Sequence, residues 1–193
     1  MKTITKINLQ DLSFHISRQH HAMAGATIAA SAALACSLGL ACVRINIESQ
    51  SAPANRALAQ DTAARLDAIR LALLHLADED GAAIAVFAAL RDAGHELHGQ
   101  AQLCQLPVDM ASLGIEAGIL LQQARPLLNS HQDDLEMSIR LLDGAVQAAI
   151  LLLDSNLRIW PDSKLLEQFE PILAQLLAAI SSFHPVQRVR LSA

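Results

Sequence analysis

Residues 22–43 carry no charged side chain, and that run limits the possible folds more than any other feature of the chain. It reads AMAGATIAASAALACSLGLACV and is long enough to span a bilayer. Its composition argues against that use. Ala, Gly, Ser and Thr predominate, and Ala drives membrane insertion weakly beside Leu or Ile. An export signal fits poorly too, because the lead before the run contains Asp11 and is too long for a basic n-region. Cys36 and Cys42 each follow an Ala, as a lipoprotein cysteine would, but Ala33 and Gly39 stand where the usual Leu of such a site belongs. The expectation is a buried helix of small side chains in a soluble bundle, with no membrane span.

The rest of the composition agrees with helices packed through Ala. Of 193 residues, 52% are hydrophobic and only 3% aromatic, with no Tyr, which suits close helix packing better than a sheet of β-branched and aromatic side chains. The length suits one domain over 1–193. The net charge is -5, and Lys and Arg are scattered without interleaved aromatics, which argues against nucleic-acid binding. Cys36, Cys42 and Cys104 have no CxxC spacing and sit in apolar surroundings, as reduced, buried thiols of a cytoplasmic protein would.

Periodicity predicts an all-α bundle of five to six helices. A short amphipathic helix is expected over 8–19, with Leu9, Leu12, Phe14 and Ile16 on its apolar side. The Ala-rich helix follows over about 23–47, then a loop at 48–55. Leu58, Thr62, Leu66, Ile69, Leu73 and Leu76 recur at helical spacing. The polar DEDG at 78–81 reads as a break, with helix resuming to a stop at Gly94. Pro107 suits a first helical turn ahead of Met110, Leu113, Ala117, Leu120 and Leu121. Asp133 or Asp134 suits the cap of a helix to about 153, with Met137, Leu141, Leu142, Ala145, Ala149 and Leu152 inward. Residues 154–163 read as a turn. A last helix over about 163–183 carries Leu165, Phe169, Ile172, Leu173, Leu176, Leu177 and Ile180 on one face, with Pro171 near its start as a point for a kink.

Residues able to carry chemistry are few. His95 and His98 would share a face if that piece were helical, but no third ligand is near and HExxH is absent, so no metal site is expected. His20 and His21 precede the Ala-rich helix, either as ordinary polar residues before a helix start or as donors to an anion there. Asp80 reads locally as a cap or turn residue. The stretch NSHQDD, 129–134, is either a helix-start loop or a functional loop mounted on the bundle.

Five stretches in order, GATIAASAALACSLGLAC, LADEDGAAIAVF, LPVDMASLGIEAGILL, PLLNSHQDD and LLLDSNLRIWPD, resemble the cyclodeaminase/cyclohydrolase family. That family includes the C-terminal domain of formiminotransferase-cyclodeaminase and bacterial methenyltetrahydrofolate cyclohydrolases. Order and intervals agree over roughly 20–165, although no single motif is intact. The family's Gly-Gly-Gly turn is here His21, Ala22 and Met23, with Gly25 just after. In the family's G-N-x-N-x-x-S-D loop, Pro126 and Leu127 replace the Gly and first Asn, Gln132 replaces the Ser, and Asn129 and Asp133 remain. A Leu near 152 replaces the first Asn of the closing motif, whose second half persists as Asn156, Leu157 and Ile159.

The resemblance implies an enzyme of folate one-carbon chemistry: a cyclohydrolase opening 5,10-methenyltetrahydrofolate, or a cyclodeaminase closing 5-formiminotetrahydrofolate with release of ammonia. It implies Asp80 and Asp133 as catalytic carboxylates, and His21, Gly25, Asn129 and Asn156 as substrate-binding residues. It implies a folate or related pterin as ligand, no cofactor beyond a tetrahydrofolate-type substrate, and a homodimer, which the apolar composition also favours. The lost glycines leave open a non-catalytic relative that binds a pterin or a protein on the same scaffold.

Overall fold

The computed structural model describes residues 3–19, 21–160 and 162–191. Six helices pack together, and no strand occurs among the described residues: α1 Leu9–Arg18, α2 Ala24–Ile47, α3 Pro53–Asp92, α4 Gln100–Ala124, α5 Gln132–Ile159 and α6 Ser163–Ile180. The all-α expectation therefore holds. Three short 3-10 turns, Ile4–Lys6, Arg125–Leu127 and Val189–Leu191, accompany them.

The Ala-rich run forms α2 and lies at the centre, packed against α3, α5 and α4. Ala29, Ala33, Ala35 and Cys36 are buried along it. Gly39 removes the last obstacle to close approach, since a Cβ there would collide with Leu121 and with Ser138 Oγ. The hydroxyl of Ser138 donates to the Ala35 carbonyl at 2.7 Å, so this buried polar side chain at the α2–α5 contact is satisfied. By length and hydropathy Ala24–Ile47 and Gln100–Leu127 could each cross a membrane, but both are mostly buried inside the bundle. Burial in the protein core accounts for their apolarity. Cys36, Cys42 and Cys104 are buried free thiols, as expected, and burial raises the pKa of each, Cys36 to about 12.

Several local expectations are corrected. DEDG does not interrupt α3, which runs unbroken through it. Each acidic residue there has a partner instead: Asp78 accepts from the N–H and hydroxyl of Thr5, Glu79 lies 3.4 Å from His75, and Asp80 turns inward to α2. Pro107 sits in the interior of α4, not in its first turn. Residues 154–159 continue α5. On α5, Leu142, Ala145 and Ala149 are buried and Leu152 half-buried, but Met137 and Leu141 are exposed, because the inward stripe runs through Leu135, Ile139, Val146 and Leu153. Asp133 and Asp134 lie in the first turn of α5, whose cap position is His131 at φ 64. Leu9 and Phe14 of α1, Leu58 of α3 and Leu177 of α6 are likewise exposed.

Candidate functional site

At the N-terminal end of α2 the chain sets a carboxylate against helix N–H groups. Asp80 projects from the middle of α3, and its Oδ2 accepts the Ala26 N–H at 2.8 Å. The first turn of a helix leaves such donors without intrahelical partners, and α2 has no side-chain cap of its own. Asp80 thus caps α2 from a neighbouring helix, in the positive end of the helix dipole. Gly25 makes this approach possible, because a Cβ at that position would overlap the Asp80 carboxyl group.

Only 5% of Asp80 is exposed. Burial pushes its pKa up to about 6, against the opposing effect of the Ala26 hydrogen bond. Oδ1 makes no hydrogen bond to any described residue. The result is a buried carboxyl that exchanges a proton near neutral pH, the range in which a general acid–base group works. His21 is half-buried and Ala22 exposed beside this end of α2. Met23 points into the core, with its terminal methyl 3.4 Å from a Cβ placed on Gly81, so its side chain does not fill the mouth. His20 lies outside the described residues.

Asn156 belongs to the same end of the bundle. Its Nδ2 donates to the Leu103 carbonyl of α4 at 2.8 Å, and it is buried. Nearby, the Phe87 and Trp160 rings meet with centroids 5.0 Å apart. His95 and His98 lie in a non-helical, exposed connection, so they do not share a helical face. No cluster of three or more potential metal ligands occurs among the described residues.

Asn129 and Asp133 lie at the other end. Asn46, near the C-terminus of α2, holds their segment: its Oδ1 accepts the N–H groups of Asn129 and Ser130 at 2.8 and 3.1 Å, and its Nδ2 donates to the Ser130 carbonyl. Gln50 reinforces this by donating to the Leu127 carbonyl. The Asn129 side-chain amide donates to Ser49 Oγ at 3.2 Å. Asp133 is exposed and borders a cavity of about 510 Å³ shared with Arg125, Glu136 and Val186. Ala26 and Asn46 are twenty residues apart on one helix, a separation of about 30 Å at 1.5 Å per residue. Within one chain, then, His21, Gly25, Asp80 and Asn156 gather at one end of α2, and Asn129 and Asp133 at the other. Sequence reasoning missed Asn46 and Gln50; the available signal was an amide side chain recurring near the end of an otherwise apolar helical run.

An all-α domain with a buried carboxyl at the mouth of an Ala-rich central helix is the class that this fold and site define. The formiminotransferase-cyclodeaminase family model, that of the enzyme's C-terminal domain, matches residues 15–175, and the chain belongs to that family. No curated protein and no solved structure matches it.

Proposed function

We propose that the protein acts on a folate-bound one-carbon unit, as a divergent methenyltetrahydrofolate cyclohydrolase or formiminotetrahydrofolate cyclodeaminase. The observation that carries this reading is Asp80: a buried carboxyl, poised by its surroundings near pH 6, with one oxygen held by Ala26 and the other uncommitted among the described residues. Family membership supplies the chemical context.

In the cyclohydrolase direction, water adds to the carbon between N5 and N10 of the cationic methenyl group, and the tetrahedral adduct collapses with cleavage of the bond to N5. Ionised Asp80 accepts one proton of the attacking water through Oδ1 and returns it to the departing N5, and the adduct's hydroxyl proton leaves to solvent as the formyl carbonyl forms. Its charge also favours the cationic ring before attack. In the cyclodeaminase direction the same group passes a proton to departing ammonia. His21 and the first turn of α2 beside Gly25 receive the ligand's polar groups. The free oxygen of Asn156 orients the pterin, whereas Asn129 and Asp133, about 30 Å away at the other end of α2, do not reach this mouth within one chain. No cofactor beyond the tetrahydrofolate-type substrate enters, and the expected setting is the cytoplasm.

Incubation with 5,10-methenyltetrahydrofolate tests this: the methenyl chromophore decays faster with protein than without, or it appears from 5-formiminotetrahydrofolate. No turnover in either direction overturns the enzymatic reading. The second reading, a non-catalytic pterin- or protein-binding relative, is favoured by the replacement of the Gly-rich turn with His21, Ala22 and Met23. It predicts saturable binding of a tetrahydrofolate by calorimetry without turnover.

A further inference from the structure

α5 and α6 bound a groove on the side of α5 away from Asn156, whose amide faces α4. The cavity measures about 720 Å³, inside the usual small-molecule range of about 300–1,000 Å³. Asp143, Ile150, Leu151 and Asp154 line it from α5, at intervals that keep to one side of a helix, and Leu173 and Leu177 line it from α6. Ile150 and Leu173 are buried and form the floor. Leu151 is 68% and Leu177 54% exposed, and they form the walls. From Asp143 to Asp154 the groove runs about 16 Å at 1.5 Å per residue.

The two ends differ in charge. At one end Asp143 is nearly buried and already satisfied: its Oδ1 accepts from Gln147 at 2.8 Å, and Arg140 lies 3.5 Å from its Oδ2. At the other end Asp154 is exposed and makes no hydrogen bond or ion pair with any described residue. Glu170, one turn before Leu173 on α6, is exposed and equally unpaired among the described residues. α6 starts four residues after α5 ends, so the two run antiparallel as a hairpin, and Glu170 stands near the level of Asp154. Arg158 lies one turn outside this end and pairs with neither carboxylate. An apolar trough that ends at two unpaired negative charges is complementary to a cation carried on an apolar chain.

We propose that the α5–α6 groove binds a small amphiphilic cation, its ammonium held between Asp154 and Glu170 and its alkyl chain laid over Ile150 and Leu173, between Leu151 and Leu177. The ammonium supplies the charge-assisted donors that the two carboxylates lack. The chain takes the exposed leucine surfaces out of water. An anion of the same length meets like charge at that end, and a polyamine with charges along its length would have to desolvate them on the apolar floor. α5 separates the groove from Asp80, so the site does not rest on the folate reading above.

Calorimetric titration of the full chain with n-alkylammonium chlorides, kept below their micelle concentrations, tests the site. n-Octylammonium is expected to bind one per chain with a Kd of about 1 mM or below. Affinity should rise about threefold per methylene from butyl to octyl and fall as salt is raised. n-Octanoate should not bind. Asp154→Asn with Glu170→Gln is expected to lower octylammonium affinity about tenfold, the scale of two exposed charged contacts. Leu151→Ser with Leu177→Ser should flatten the rise with chain length. All four side chains are exposed, so both double variants should melt cooperatively like the parent. No binding of octylammonium, equal binding of octanoate, or an affinity that neither pair of substitutions changes overturns the proposal; the last result places the cation elsewhere on an acidic surface. A parent that scatters light as an oligomer and falls to monomer mass on Leu177→Glu also overturns it, because a second copy then fills the groove. So does binding of a Leu- and Lys-bearing helical peptide, lost on Leu177→Glu, where octylammonium does not bind, since the groove is then a protein-docking face.

Discussion

Asn156 and Pro107 form a complementary pair: one supplies the hydrogen bond that the other cannot. Pro107 has no N–H, so in the interior of α4 the carbonyl four residues earlier, that of Leu103, loses its helical donor. Asn156 fills the vacancy from α5, its Nδ2 donating to that oxygen at 2.8 Å. The helix continues through proline because a neighbouring helix provides the missing bond.

Asn156→Ala should therefore cost about 1–3 kcal/mol, the penalty for a buried carbonyl left unpaired. Pro107→Ala restores a backbone donor to the same carbonyl, so the double variant should lose less than the sum of the two singles, with a coupling of about 1 kcal/mol or more. Urea denaturation of the four proteins measures it. Additive losses would mean that the pairing has no energetic weight.

Gly25 should be as sensitive. A methyl group there meets the Asp80 carboxyl head-on, and both belong to packed helices that cannot yield freely. Gly25→Ala is expected to destabilise by about 1–3 kcal/mol, the usual range for overpacking. In an Asp80→Ala background the added methyl has room, and the same change should cost much less. Thermal melts of the pair of backgrounds read this; equal losses in both would refute the contact.

These two examples also show how much was legible in the sequence. The central helix was, because an uncharged, Ala-rich run has few ways to be stable, and so was the helical class. The continuity of α3 was not: the acidic residues of DEDG look like a break by local preference, yet Asp78 and Asp80 find tertiary partners in Thr5 and Ala26, and Glu79 lies one turn from His75 on α3 itself. Pro107 looked like a helix start for the same reason, since its compensation comes from Asn156, far along the chain. The resemblance singled out Asp80, but its burial under α2 is a property of two helices packed together. Nor could spacing reveal that Asn129 and Asp133 lie at the opposite end of α2, held there by Asn46.

That restraint is testable on its own. Asn46→Ala removes the acceptor for two backbone N–H groups and the donor to the Ser130 carbonyl. It should cost about 2–4 kcal/mol, on the scale of 1–3 kcal/mol for each unpaired buried group with some relief from water. Amide exchange at residues 128–131 should accelerate far more than in the middle of α2. Uniform acceleration across the chain would mean global destabilisation and no specific hold on the loop.

Asp80 ties stability to pH with a definite sign. Its folded pKa, about 6, lies above the unfolded reference of 3.8, so between those values the native state holds the extra proton. The contribution of Asp80 to stability is therefore most favourable below about pH 4 and is lost as pH rises through about 6, a span of about 3 kcal/mol at 1.36 kcal/mol per unit. Asp80→Asn keeps an acceptor for the Ala26 N–H without a charge that titrates. Relative to the parent, the variant should gain about 2 kcal/mol of stability on going from pH 4.5 to pH 7.5, roughly two-thirds of that span, although activity under the proposed mechanism falls by about 10²-fold or more. Urea denaturation at the two pH values gives the difference directly, and other carboxyl groups cancel because both proteins share them. Identical pH dependence in parent and variant would mean that Asp80 ionises as a solvated carboxylate. A rate profile rising through about pH 6, expected if ionised Asp80 is the base, would then lose its physical basis.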